Sequence, residues 1–143
     1  MSSDVQQPKV FQLRLVVEAE DFDRAVSFYR DVLGLSESLT AESEGGARVV
    51  ILDAGRATLE LANPVQKQLI DEVEVGRQVS RNIRVAFEVG DTVAMTGELT
   101  AAGADLIAPP VETPWRSLNS RLEAPAGLQI TLFQELEPTD ARP

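Results

Sequence analysis

Apolar and polar side chains alternate with a period of two from Val10 to Glu18. Phe11, Leu13, Leu15 and Val17 fall on one face, and Gln12, Arg14 and Glu18 fall on the other together with Val10 and Val16. That period belongs to a half-buried strand. The spacing then lengthens to that of a helix through Phe22, Ala25, Val26, Tyr29 and Val32/Leu33. Asp21 stands at its N-cap and Gly34 at the position just past its end. An apolar-poor stretch follows, then a Gly45-Gly46 turn, a strand through Val49 to Leu52, a tight turn at Ala54-Gly55, and a strand through Leu59 and Leu61. The predicted order is β-α-β-β-β.

The second half repeats that order. Ile83, Val85, Phe87 and Val89 form an apolar strand face opposite Arg84, Ala86 and Glu88, and Asp91 caps a weaker helix that ends near Gly103. Leu106-Ile107, Leu118 to Leu122 and Leu128 to Phe133 supply three more strands. Register strengthens the repeat: Arg14, Glu18 and Asp21 recur as Arg84, Glu88 and Asp91. An internal repeat of this size predicts an α+β fold of two tandem βαβββ modules whose mixed sheets curve around a groove. The modules span about 10–62 and about 81–134 of a single domain. Between them lies a linker over 63–80, in which Asn63-Pro64 opens a short helix over Val65 to Ile70 and the charged remainder carries no recognisable chemistry. Residues 1–8 and 136–143 are polar ends without periodicity, expected to be loosely ordered.

Composition narrows the functional classes. The chain has 143 residues, no cysteine and no histidine, so it carries no thiolate nucleophile and no imidazole base or ligand. A net charge of −10 repels nucleic acid and anionic membranes. With no apolar leader and no run of about 18 apolar residues, neither a membrane nor a nucleic-acid partner is expected, and the expected location is the cytoplasm. The acidic runs at Asp71-Glu72 and Glu135 to Glu137 are read as solvated surface.

If the apolar strand faces pack under the helices, the opposite faces line the groove. Those positions include Gln12, Arg14 and Glu18, Thr58 and Glu60, Arg84 and Glu88, and Gln129 and Thr131. Arg14 and Arg84 are related by the repeat, so two guanidiniums meet near its pseudo-twofold axis. They suit a carboxylate, a phosphate or a polarised carbonyl, or else form internal salt bridges to Glu60, Glu18 or Glu88. Trp115, the only tryptophan, either stacks on a planar ligand or covers a core edge. Arg121 either reaches the groove or stays solvated.

The run from Val17 to Leu35, with its Phe-Tyr-Arg-Asp-Val-Leu-Gly-Leu segment, resembles the vicinal oxygen chelate superfamily of glyoxalase I, bleomycin-resistance proteins and extradiol dioxygenases. Ala57-Thr-Leu-Glu-Leu61 and Ala124-Pro-Ala-Gly-Leu128 extend the likeness over about residues 10–134. The resemblance implies paired βαβββ modules and a homodimer. In that family's enzymes inner-strand His or Glu side chains hold a divalent metal. The matching places here are Arg14 (or Gln12), Glu60, Arg84 and Thr131, of which only Glu60 is a metal ligand. One carboxylate beside two fixed cations does not make a metal site, so neither metal nor other cofactor is expected.

The leading expectation is a metal-independent binding protein for a small molecule, possible roles being antibiotic or metabolite sequestration. Its ligand contacts are drawn from Gln12, Arg14, Glu60, Arg84, Trp115, Arg121 and Thr131. The alternative is a metal-free lyase or isomerase using Glu60 with Arg14 and Arg84; a third reading is a regulatory module with a vestigial groove.

Overall fold

A computed structural model describes residues 9–137, so the expected loose ends 1–8 and most of 136–143 lie outside the described residues. The first strand, β1 (Val10–Glu18), leads into α1 (Phe22–Val26), where the Asp21 side chain accepts a hydrogen bond from the Arg24 amide. The helix does not continue as one α-helix to Gly34. Ser27–Val32 forms a wider π-type turn in which the Leu33 amide donates to the Phe28 carbonyl, 2.9 Å, and Gly34 ends it at a positive φ of 89°. The apolar-poor stretch is the exposed edge strand β2 (Ser36–Ser43), followed by β3 (Ala47–Ala54) and β4 (Ala57–Ala62).

A linker helix, α2 (Pro64–Glu74), precedes β5 (Ile83–Val89), α3 (Thr92–Ala101), β6 (Asp105–Glu112), β7 (Ser117–Ala124) and β8 (Leu128–Glu135). The eight strands form one mixed open sheet in the order β2-β3-β4-β1-β5-β8-β7-β6. Each half has one parallel pair, β1 with β4 and β5 with β8, while antiparallel pairing of β1 with β5 joins the halves. In that joint Arg14 faces Ala86 and Val16 faces Arg84. Residues two apart on a strand share a face, so the two arginines lie diagonally across the joint on the same side of the sheet.

The helices α1 and α3 pack on the other side, each over its own half. Phe22 and Val26 of α1 meet Val50, Leu52 and Leu61; α3 covers Val85, Val89, Leu122, Ile130 and Leu132. Because α1 leans on β4 and α3 on β6, β7 and β8, neither reaches the middle of the joint. Of the first strand's apolar face, expected under a helix, only Val17 packs against α1's cluster, while Phe11, Leu13 and Leu15 are exposed.

The linker departs most from expectation. Asn63 accepts from the Gln66 amide at 2.9 Å and Pro64 occupies the first turn, as the Asn-Pro pair predicts, but the helix runs on to Glu74. Its buried face is Gln66, Ile70, Asp71 and Glu74. It crosses the groove face of the sheet, packing on β3 and β4 of one half and β6 and β7 of the other.

Leu52 is fully buried beneath α1. Its truncation in Leu52→Ala is expected to lower unfolding free energy by about 2–5 kcal/mol, read as a drop in the urea midpoint at unchanged slope.

Candidate functional site

The alternation that puts Leu61 and Val85 beneath the helices puts Arg14, Glu60, Arg84 and Thr131 on the groove face. Arg14 is 6% exposed and fully engaged: its Nη1 lies 3.8 Å from Glu60 Oε1, its Nε donates to Gln12 Oε1 at 2.7 Å, and its guanidinium lies 4.9 Å from the Phe133 ring centre. Gln12 in turn donates to Glu88 at 3.2 Å. The salt bridge left open by the sequence is therefore made, between Arg14 and Glu60.

Arg84 occupies the repeat-related position and is treated differently. Glu60 follows Arg14 by 46 residues on the parallel neighbour β4, and Thr131 follows Arg84 by 47 on the parallel neighbour β8. Where Arg14 meets a carboxylate, Arg84 meets a hydroxyl: its Nη1 donates to Thr131 Oγ1 at 2.9 Å. Among the described residues Arg84 makes no ion pair, although it is only 8% exposed. Burial, and then the neighbouring Arg121, push its pKa below the ordinary guanidinium value, while Glu74, Glu60 and Asp71 pull it back. A guanidinium does not lose its proton in a protein, so the depression registers a buried positive charge short of a counterion.

The third arginine is absorbed by the linker. Arg121 is fully buried; its Nη1 donates to Asp71 Oδ1 at 3.0 Å, Ser80 Oγ at 2.9 Å and Gln129 Oε1 at 2.9 Å, and its Nη2 to Glu74 Oε1 at 2.6 Å. Asn119 donates to the other Glu74 oxygen at 2.7 Å. Neither a solvated nor an open-groove position describes Arg121. Asp71 likewise is not solvated surface, and the linker does carry chemistry. Burial raises the Asp71 pKa, but hydrogen bonds from the Ser80 hydroxyl and the Ser80 and Val79 amides, with the Arg121 charge, leave it below the usual carboxylate value. The signal that would have found this pair was the spacing: Gln66, Ile70, Asp71 and Glu74 share one helical face behind an Asn-Pro start. Glu135 is also half-buried rather than solvated; burial raises its carboxyl, Arg14 opposes that and Glu88 adds to it.

Between α2 and the sheet remains a cavity of about 40 Å³ lined by Arg14, Glu60, Gln66, Arg84, Trp115 and Thr131, among others. That is room for two or three waters or one carboxylate-sized group. Trp115, in the turn between β6 and β7, therefore reaches the groove; Arg116 after it sits at φ 64° and donates its amide to the Thr113 carbonyl at 3.0 Å. Gln66 is 2% exposed and its carboxamide oxygen has no hydrogen-bond partner. Of the seven expected ligand contacts, Arg14, Glu60, Arg84, Trp115 and Thr131 share this cavity. Gln12 lies just outside it, and Arg121 sits beneath α2.

The residues present do not fit a divalent metal. Glu60 is already paired with a guanidinium, Glu74 is bound by Arg121 and Asn119, and among the described residues no three His, Cys, Asp or Glu side chains converge.

A family model described as Glyoxalase-like domain matches residues 14–133. Among solved structures, methylmalonyl-CoA epimerase from Mycobacterium tuberculosis superposes with a TM-score of 0.66 at 20% identity, over 94% of this chain and 93% of that one. A Streptomyces coelicolor methylmalonyl-CoA epimerase variant in complex with 2-nitronate-propionyl-CoA gives 0.65 at 19%, over 92% and 100%. A hypothetical protein from Bacillus halodurans gives 0.65 at 16%, over 88% and 94%. At these identities the likeness is one of fold. Among curated proteins no sequence matches.

Replacing Arg121 by Met would strand two buried carboxylates, a change expected to cost about 3–5 kcal/mol in chemical denaturation. Asp71 adds a pH signature. Its folded pKa is depressed, so its stabilisation is complete above the unfolded value near 3.8 and is lost as pH falls through the lower folded value. Asp71→Asn should accordingly flatten the acid limb of the stability–pH curve below about pH 4 and leave its slope near neutrality unchanged.

Proposed function

We propose that this chain, which belongs to the glyoxalase-like domain family of the vicinal oxygen chelate superfamily, is a metal-independent binding protein for a small molecule carrying a carboxylate, in the service of antibiotic or metabolite sequestration. The observation that carries the reading is Arg84: a buried guanidinium with a hydroxyl where its repeat-related partner has a carboxylate. Burying a charge without a counterion is costly, and a ligand carboxylate in the adjoining cavity supplies one. Trp115 adds an apolar surface beside it. Fold relatives have been solved with 2-nitronate-propionyl-CoA or methylmalonyl-CoA bound, which supports an acyl or carboxylate group as the kind of molecule held here.

Sequestration is favoured over a metal-free lyase or isomerase because Glu60, the one candidate base among the expected site residues, already lies against the Arg14 guanidinium at 3.8 Å rather than free to meet a substrate. The resemblance's homodimer belongs to the same proposal; the exposed Phe11, Leu13 and Leu15 on the back of the sheet support it. A cytoplasmic location also remains part of the proposal, and among the described residues no helix is long and apolar enough to cross a membrane.

Isothermal titration with small carboxylates is the direct test. Arg84→Met is expected to weaken binding by about 10- to 100-fold, the value of a charge-assisted hydrogen bond, whereas Glu60→Gln should retain it and EDTA should have no effect. Unchanged affinity in Arg84→Met would sink the reading, and turnover abolished by Glu60→Gln would replace it with catalysis. For the dimer, light scattering on a sizing column should give about twice the 15.5 kDa chain mass.

A further inference from the structure

The cavity beside Arg84 is too small for more than the end of a molecule. At about 40 Å³ it admits a carboxylate and little else. On the α2 side Gln66, Ile70 and Glu74 cover it, Glu74 being tied to Arg121 at 2.6 Å, and the space that continues past Gln66, Ile70 and Arg84 is only about 20 Å³. The opposite side is wider. Arg14 and Ile51 line both this cavity and a second, open recess of about 380 Å³ on the β2–β4 side of the groove. The two spaces thus adjoin across a shared wall, one narrow and cationic, the other wide and open to solvent.

The wide space has its own chemistry. Leu39, with the shared Ile51, gives it an apolar wall, while Gln12, Asp53, Arg56 and Thr58 bring hydrogen-bonding groups to its rim. Its volume falls in the range of small-molecule sites. Apart from Gln12, Arg14, Ile51 and Thr58, none of its residues belongs to the groove as read above, and no residue of α2 lines it.

We infer that the recess between β2 and β4 is the second half of one ligand site, and that the ligand is an elongated acid. Its carboxylate enters first, past Arg14 to Arg84, and an uncharged body with an apolar face and hydrogen-bonding groups stays in the recess against Leu39, Ile51 and Thr58. This rests on the carboxylate reading of Arg84 and extends it from a head group to a class of molecule. The arrangement disfavours acids with a bulky branch next to the carboxyl, because beneath α2 the space beyond Arg84 is only about 20 Å³.

The test uses acetate as the head group alone and hippurate as a head group with an amide and a ring, titrated calorimetrically into the full chain. Hippurate is expected to bind at least about tenfold more tightly than acetate, the gain from burying the ring face. Filling the recess by Thr58→Phe, or independently from another strand by Leu39→Trp, should bring hippurate down to the acetate level while acetate changes by less than about twofold. Arg84→Met should lose both. Hippurate no tighter than acetate, with both still dependent on Arg84, overturns the second half and leaves the first. So does hippurate affinity that survives both filling substitutions in variants whose thermal melts remain cooperative. Absence of binding by either acid to the unmodified chain overturns the carboxylate reading itself and this one with it.

Discussion

The fold turns on a charge that has no business inside a sheet unless it is answered. Arg121 points from β7 into the groove face, fully buried, and only two carboxylates from the linker make that tolerable. Removing a guanidinium and two carboxylates from water costs several kcal/mol per ion, recovered only by short, well-directed hydrogen bonds. Four such bonds from Arg121, with Asn119, Ser80 and the Val79 and Ser80 amides meeting the remaining carboxylate oxygens, satisfy most of that demand. The consequence is positional. These bonds tie α2 across the groove face and narrow the groove beneath it to small cavities.

Against that fixed cover, the symmetry of the two halves is broken in a way that concentrates charge. Duplication supplies equivalent arginines at 14 and 84, and the antiparallel joint brings them to the same face. The first faces Glu60 and the second Thr131. A matched pair of ion pairs would leave the face electrically balanced; one arginine beside a carboxylate and one beside a hydroxyl leaves the balance uneven, which is the asymmetry the proposed carboxylate site uses. The apolar residues beneath both helices meanwhile keep the two halves alike.

Much of the architecture could be read from residue spacing because it rests on local chemistry. Asp21, Asn63 and Asp91 cap their helices as their positions predict, each accepting from an amide three residues on. The repeat, the strand order within each half and the groove-facing identity of Arg14, Glu60, Arg84 and Thr131 follow from period two and register. What escaped was whatever depended on contacts between distant elements. The linker helix looked short and inert because Asp71-Glu72 read as solvated surface and the rest as a charged linker, and helical spacing alone does not say that Arg121, 47 residues beyond Glu74, will be buried against Asp71 and Glu74. The exposure of Phe11, Leu13 and Leu15 was likewise invisible, since alternation tells which side of a strand a residue takes but not whether a helix reaches over it.

Placing guanidinium rather than imidazole at the receptor position has a bearing on how such a site behaves in a changing environment. The chain contains no histidine and no cysteine, so no side chain with an ordinary pKa near neutrality exists to switch the groove on or off. The charge at Arg84 stays constant from mildly acidic to strongly alkaline solution. Across the physiological range the Arg84 charge therefore presents the same field to whatever enters the groove, and under the proposal above it is an acid's own ionisation, not the guanidinium's, that would vary.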